Sequence, residues 1–179
     1  MNNDQNQNGM TSMKDALKQA RELLAELTPL KSDCGRVCGA RCCRSLEGEI
    51  TGMLLFPGEE AEYCGKPGWE LLGTAAGTLA VCPGVCDRNE RPLACRLFPL
   101  MPVLRENGVK AAVDQRAKTV CPLTRYGLQG LDPAFTDAVR KAGQILAEDP
   151  EQKQFLEMLT AEQDELKALR RNGPAQTGI

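Results

Sequence analysis

From Ser12 onward the apolar residues fall at helical spacing, and Leu17, Ala20, Leu24 and Leu27 share one face. Ser12 is a good N-cap with Asp15 three residues on, and Pro29 closes the stretch. The period then changes. Ile50 to Phe56 is an apolar run of strand length stopped by Pro57-Gly58, Glu59 to Tyr63 reads as one helical turn, and Thr78 to Val81 as a second short strand. Between them, Gly65 to Gly77 holds Trp69 and the Leu71-Leu72 pair among glycines and shows no assignable period. Val103 to Arg105 and Val109 to Val113 are the arms of a hairpin around Asn107-Gly108, a strong turn signal.

The C-terminal third returns to helical spacing twice. Asp132 caps and Pro133 takes the first position of a helix with Phe135, Ala138, Val139, Ala142, Ile145 and Leu146 on its apolar face. Asp149-Pro150 repeats that signal for a last helix, in which Phe155, Leu156, Leu159, Leu166 and Leu169 recur until Gly173. These two should lie as an antiparallel pair. The pattern predicts an α+β, mainly helical fold: an irregular cysteine-rich centre with a small hairpin, flanked by an N-terminal helix and a C-terminal helix pair. One domain over residues 12–172 follows a disordered, polar lead at 1–11; the cysteine core spans about 31–125 and the C-terminal helices about 132–172. There is no internal repeat and no sustained heptad.

Composition sharpens this. Aromatic residues make up only 4% of the chain, so the rings that usually fill a core are scarce and another source of stability is called for. A net charge of −2 gives no electrostatic footprint for nucleic acid, so no nucleic-acid partner is expected. The N-terminus has neither a basic start nor a signal-length apolar run, and no segment has the eighteen uninterrupted apolar residues of a membrane span. A soluble cytoplasmic protein with no membrane partner is the expectation. Histidine is absent, which removes His-ligated zinc, Ser-His-Asp and Cys-His nucleophilic pairs, and imidazole proton shuttles.

The nine cysteines carry the chemistry. Cys34, Cys38, Cys42 and Cys43 fall within ten residues, Cys82, Cys86 and Cys95 form a second group, and Cys121 follows the hairpin. Gly35 and Gly39 argue for loop and short-turn geometry around the first group, and adjacency implies that the Cys42 and Cys43 side chains diverge. Cys82-Pro83-Gly84-Val85-Cys86 reads as a tight turn, and Arg91 to Pro99 as a short helical turn presenting Cys95. In a reducing compartment such thiols are better metal ligands than disulfide partners, and the odd count argues against a closed disulfide framework. Thiolate suits zinc, Cu(I) or iron–sulfur clusters, commonly with four protein ligands each. The grouped cysteines can supply two such sites, or one site plus free or packing thiols. Arg36, Arg41, Arg44, Arg88, Arg91 and Arg96 lie in the same segments and can either hydrogen-bond to sulfur or remain solvated surface charges. Cys64, between Tyr63 and Gly65, reads as a packing residue rather than a ligand.

These residues resemble the YkgJ-like cysteine-cluster family, described as zinc- or iron-chelating domains. The likeness runs through Cys34, Cys38, Cys42-Cys43-Arg44, Cys82, Cys86, Arg91-Pro92-Leu93-Ala94-Cys95-Arg96-Leu97-Phe98-Pro99 and Cys121-Pro122, over about residues 31–125. The first two cysteine intervals are one residue longer than the family usually has, and the Cys82 to Cys86 interval is shorter. The resemblance implies an eight-cysteine metal module carried here by Cys34, Cys38, Cys42, Cys43, Cys82, Cys86, Cys95 and Cys121. The wider group includes flagellin lysine methylases, for which an iron–sulfur cluster is expected. Three readings follow: a metal-binding protein holding zinc or an iron–sulfur cluster, an iron–sulfur-dependent protein-lysine methylase acting on a protein partner, and a thiol redox sensor working through Cys42-Cys43.

Overall fold

The computed structural model describes residues 15–44, 52–84 and 86–172. The expected lead at 1–11, the cap at Ser12, the start of the strand at Ile50, Val85 in the cysteine turn and the stop at Gly173 lie outside the described residues.

The architecture is α+β, with helix predominating. In chain order there follow α1 (15–23), α2 (Gly35–Cys38), a 3-10 turn (Arg41–Cys43), β1 (Gly52–Leu54), α3 (Glu60–Tyr63), β2 (Glu70–Thr74) and β3 (Gly77–Val81). A second 3-10 turn (Arg88–Glu90), α4 (Leu93–Leu97), β4 (Leu100–Arg105) and β5 (Gly108–Val113) lead through 3-10 segments (Gln115–Thr119 and Pro122–Gly130) to α5 (Pro133–Glu148) and α6 (Pro150–Asn172). Strands β1, β3 and β2 form an antiparallel sheet with β3 in the middle, and β4 pairs with β5 as a separate antiparallel ribbon. Among the described residues no helix is long and apolar enough to cross a membrane.

The Asp-Pro signals start the two long helices as the sequence implies. The Asp132 carboxylate accepts from Ala134 N at 2.9 Å, and Asp149 accepts from the backbone of Glu151 and Gln152 at 3.1 Å each, satisfying N–H groups that have no partner within the helix. Phe135, Ala138, Val139, Ala142 and Leu146 of α5 are buried. Gly143 is buried with them, since a β-carbon there would come within 2.3 Å of Pro102 Cβ and 2.7 Å of Val109 Cγ1. The helix therefore lies directly on the β4–β5 ribbon. From α6, Phe155, Leu156 and Leu159 close the same core, while Thr160 Oγ1 accepts from Leu104 N at 3.0 Å.

Several expectations change. Leu169 is 68% exposed and leaves the apolar face of α6, which ends its packing a turn and more earlier. Strand β4 begins at Leu100 rather than Val103 and runs through Pro102, which a two-stranded ribbon tolerates because each strand keeps one unpaired edge. The turn residues of that hairpin are Glu106 and Asn107, with Gly108 already paired to Arg105. The unassigned stretch from Gly65 to Gly77 contains β2, paired with β3 around Ala75-Ala76.

The largest change concerns the middle of the fold. Helices α1, α4, α5 and α6 pack with the β4–β5 ribbon into one apolar core, in which Leu17, Ala20, Leu24, Leu93, Leu97, Leu100 and Phe135 are buried. Neither α2 nor the Arg41–Cys43 turn buries a residue. The ribbon, not the cysteine-rich chain, is what the helices surround, because thiol segments rich in Gly and Arg offer little apolar area to bury. A smaller cluster of Leu55, Tyr63 and Ala80, with Trp69 and Leu71 against it, underlies the three-stranded sheet.

Glu59 joins these parts. Its side chain is fully buried and accepts from Phe56 N and Leu93 N, both at 2.9 Å, and from Arg21 of α1. Leu93 opens α4, so this carboxylate also serves the free N–H end of the helix that carries Cys95.

Candidate metal centre

Cys95 has the firmest setting. Pro92 starts α4 without needing an N–H, and Leu93 and Leu97 bury the helix on either side of the thiol. Burial pushes the Cys95 thiol well above its ordinary pKa, and the neighbouring Cys43, Cys82 and Cys86 push the same way. Cys121 follows the Gln115–Thr119 segment, whose cap Asp114 accepts from Arg116 N at 2.8 Å, while Gln163 of α6 accepts from Gln115 N at 2.6 Å. Its pKa is raised by burial, opposed by the nearby backbone N–H groups of Leu123 and Thr124, of which Thr124 N donates to the Cys121 carbonyl at 3.2 Å.

The other thiols ride on turns. Cys34 and Cys38 bracket α2, which Gly39 ends in the left-handed region at φ 64°, and the Cys38 thiol lies 3.7 Å from the Cys34 carbonyl. Burial raises the Cys34 pKa first, then proximity to Cys121 and Cys38. Gly84 N donates to Cys82 Sγ at 3.2 Å in the turn that leads toward Cys86. Burial raises Cys82 as well, with the Gly84 N–H opposing. Cys42 and Cys43 do not diverge as adjacency suggests: the 3-10 turn brings their sulfurs to 3.9 Å. The contact between the two sulfurs lowers Cys43 to about 6, with help from Arg91, and raises Cys42.

Of the six arginines, Arg91 faces the sulfurs. Burial works against its charge, but the nearby Cys86, Cys43 and Cys95 outweigh that and hold its pKa above the ordinary value. Its Nε is buried without a partner among the described residues. Arg88 and Arg96 go to backbone carbonyls instead. Arg88 donates to Ala25 O at 3.1 Å and to Leu27 O, and Arg96 to Arg91 O at 3.1 Å and Asn89 O at 2.7 Å, so both brace the chain behind the thiols. Arg36, Arg41 and Arg44 are exposed.

Two cavities meet the thiols. A narrow one of about 70 Å³ is lined by Cys34, Cys38, Cys42, Cys95 and Cys121, and a wider one of about 490 Å³ by Cys42, Cys43, Cys82, Cys86 and Cys95. Arg91 lines both. All nine cysteines are free thiols, and Cys64 is exposed and lines neither cavity. It is therefore not the packing residue that its neighbours suggest. Among the described residues no three Cys, Asp or Glu side chains stand close enough together to hold an ion as they are. Neutral thiols have no strong attraction for one another, and ionised ones repel, so without a cation nothing draws them to one point.

The donor set fits a thiolate-bound metal. It offers soft sulfur without histidine, the backbone N–H of Gly84 directed at Cys82 Sγ, and a half-buried guanidinium near Cys86, Cys43 and Cys95 whose buried Nε has no partner among the described residues. Compared with known protein families, with characterised proteins and with solved structures, the chain matches none of them.

Proposed function

We propose that this protein binds metal through clustered cysteine thiolates, holding zinc or an iron–sulfur cluster. The observation that carries the reading is the convergence of eight free thiols, from segments as far apart as Cys34 and Cys121, on the two cavities that share Arg91. Zinc would supply a closed structural link, and an iron–sulfur cluster an electron-transfer centre or a site for cluster-dependent chemistry. The same eight cysteines carry the resemblance to the YkgJ-like family.

The protein's own groups divide the work. Four thiolates around a divalent ion leave about two net negative charges, and partly buried negative charge needs an offset. Arg91 supplies a cation between the thiols, and the N–H group of Gly84 holds a lone pair of Cys82 sulfur in place. Free thiols at this density suit a reducing compartment.

Elemental analysis and a visible spectrum of the full chain, purified without oxygen, test the reading. Zinc gives a colourless protein with stoichiometric metal, and an iron–sulfur cluster gives a brown one with iron and acid-labile sulfide. Protein that carries neither zinc nor iron and takes up neither on reconstitution would refute it.

A further inference from the structure

The narrow cavity has Cys34, Cys38 and Cys121 to itself, and the wide one has Cys43, Cys82 and Cys86. Only Cys42 and Cys95 line both. Each cavity thus has three thiols of its own and two that it shares with the other.

From this placement we infer that the eight cysteines form two four-thiol metal centres, one built on Cys34, Cys38 and Cys121 and the other on Cys43, Cys82 and Cys86, with Cys42 and Cys95 supplying the fourth thiol of one centre each. The inference rests on the metal-binding reading above and deepens it. The two sets meet at the adjacent residues Cys42 and Cys43, whose sulfurs are 3.9 Å apart, and Arg91 stands at both. A sulfur pair at that distance also matches one edge of a tetrahedral thiolate centre, with metal–sulfur bonds of about 2.3 Å. Placing both in one centre with Cys82 and Cys86 leaves Cys34, Cys38, Cys95 and Cys121 for the other, so either assignment of the two shared thiols gives each centre the four ligands that four-coordination asks for.

The centre of the narrow cavity then has Cys121 on the packed core, and Cys95, also on the core, stands where the two cavities meet. The Cys34–Cys43 segment contributes to both and is pinned at two points. Arg91, with a cluster of negative sulfur on either side, is the shared counter-charge.

Cobalt(II) titration of the metal-stripped full chain under anaerobic conditions tests the division, with thiolate-to-cobalt charge transfer as the readout. The wild-type chain should take up about two equivalents, with X-ray absorption giving about four sulfurs per cobalt and no second cobalt within about 4 Å. Cys38→Ser and Cys86→Ser should each keep about half the signal. The Cys34→Ser/Cys38→Ser double variant should keep the same half, because both residues line the narrow cavity alone. Cys38→Ser/Cys86→Ser should lose it all. A Cys64→Ser control should keep both equivalents.

Uptake of a single equivalent, abolished by Cys38→Ser and Cys86→Ser alike, would overturn the division and leave the metal-binding reading standing. Two equivalents with a short cobalt–cobalt vector would overturn it too, in favour of one bridged cluster. The wild-type stoichiometry and sulfur count decide these cases even if a variant fails to fold. No uptake of cobalt by a chain that also carries no zinc or iron as isolated would remove both readings together.

Discussion

Glu59→Ala is the substitution whose cost the structure specifies most fully. The side chain is 0% exposed, and its removal leaves the buried N–H groups of Phe56 and Leu93 without acceptors, each worth about 1–3 kcal/mol. Arg21 loses a partner but keeps Glu62, to which its Nη1 donates at 2.8 and 2.7 Å, so its share is smaller. Removing one member of a buried ion pair costs about 3–5 kcal/mol, and the two routes agree. Against a total stability of about 5–15 kcal/mol this is a large fraction, equivalent to roughly 6–20 °C in Tm for a chain of this size. Glu59→Gln keeps an oxygen for Leu93 and Arg21 but turns an amide donor toward the Phe56 N–H, so it should cost about 1–3 kcal/mol. Burial raises the Glu59 pKa, while Arg21 and the two backbone donors hold it down. Urea denaturation of both variants at neutral pH measures the effect. A Glu59→Ala loss below about 1 kcal/mol would show that the carboxylate is not the joint between α1, the Phe56 turn and the Cys95 helix.

Three further outcomes are expected. Gly143→Ala should lower Tm, because a methyl pressed against the Pro102 ring costs about 1–3 kcal/mol and outweighs a gain of up to about 1 kcal/mol in helix propensity; a rise in Tm would contradict the close approach of α5 to the ribbon. Tyr63 donates to Glu90 O at 2.9 Å, and burial first, then Glu59, raises its pKa. A raised folded pKa gives stability that is complete below the unfolded value near 10 and is lost as pH rises beyond it. The stability gap between wild type and Tyr63→Phe, about 0.5–1.5 kcal/mol at pH 7, should therefore shrink in urea titrations above about pH 10, and a constant gap would be wrong for a buried phenol. Chelation of the metal-loaded chain should expose Arg36, Arg41 and Arg44 to trypsin before any site in α5 or α6; equal cutting throughout would mean that the metal holds the whole fold.

What the sequence makes legible here is what local chemistry decides. Asp132-Pro133 and Asp149-Pro150 start helices by satisfying free N–H groups, and Asn107-Gly108 marks the hairpin, so these elements stand where their residues put them. Strand β2 escapes because its turn, Ala75-Ala76, has no turn-forming side chain of its own; Thr74 Oγ1 closes it, bonded to Gly77 O at 2.8 Å and Ala76 N at 3.2 Å. The partners of Arg88 and Arg96 are backbone carbonyls, which no residue code announces, so only the fold separates these two from Arg91 at both thiol cavities, Arg41 and Arg44 at the wide one, and Arg36, which lines neither. Glu59 looks like one acid among three in a helical turn. Its burial depends on Arg21 and Leu93, both more than thirty residues away.

The separation between a packed core and an unpacked thiol segment also changes what a metal would do for the protein. The ribbon and its four helices bury their own apolar surface, and Cys95 and Cys121 sit on that framework. The Cys34–Cys43 segment has no buried residue in either of its short helices, so apolar packing does not order it. Fixing about ten residues costs roughly 10–20 kcal/mol in backbone entropy, and binding of one structural zinc to thiolates returns about 10–16 kcal/mol. The two quantities are close enough that one centre alone would leave the segment marginal, while a second, gripping it at Cys43, would make it firm. A protein built this way would gain little global stability from a bound metal. It would gain instead a segment whose order reports whether metal is bound, beside a cavity of about 490 Å³ lined by Cys42 and Cys43.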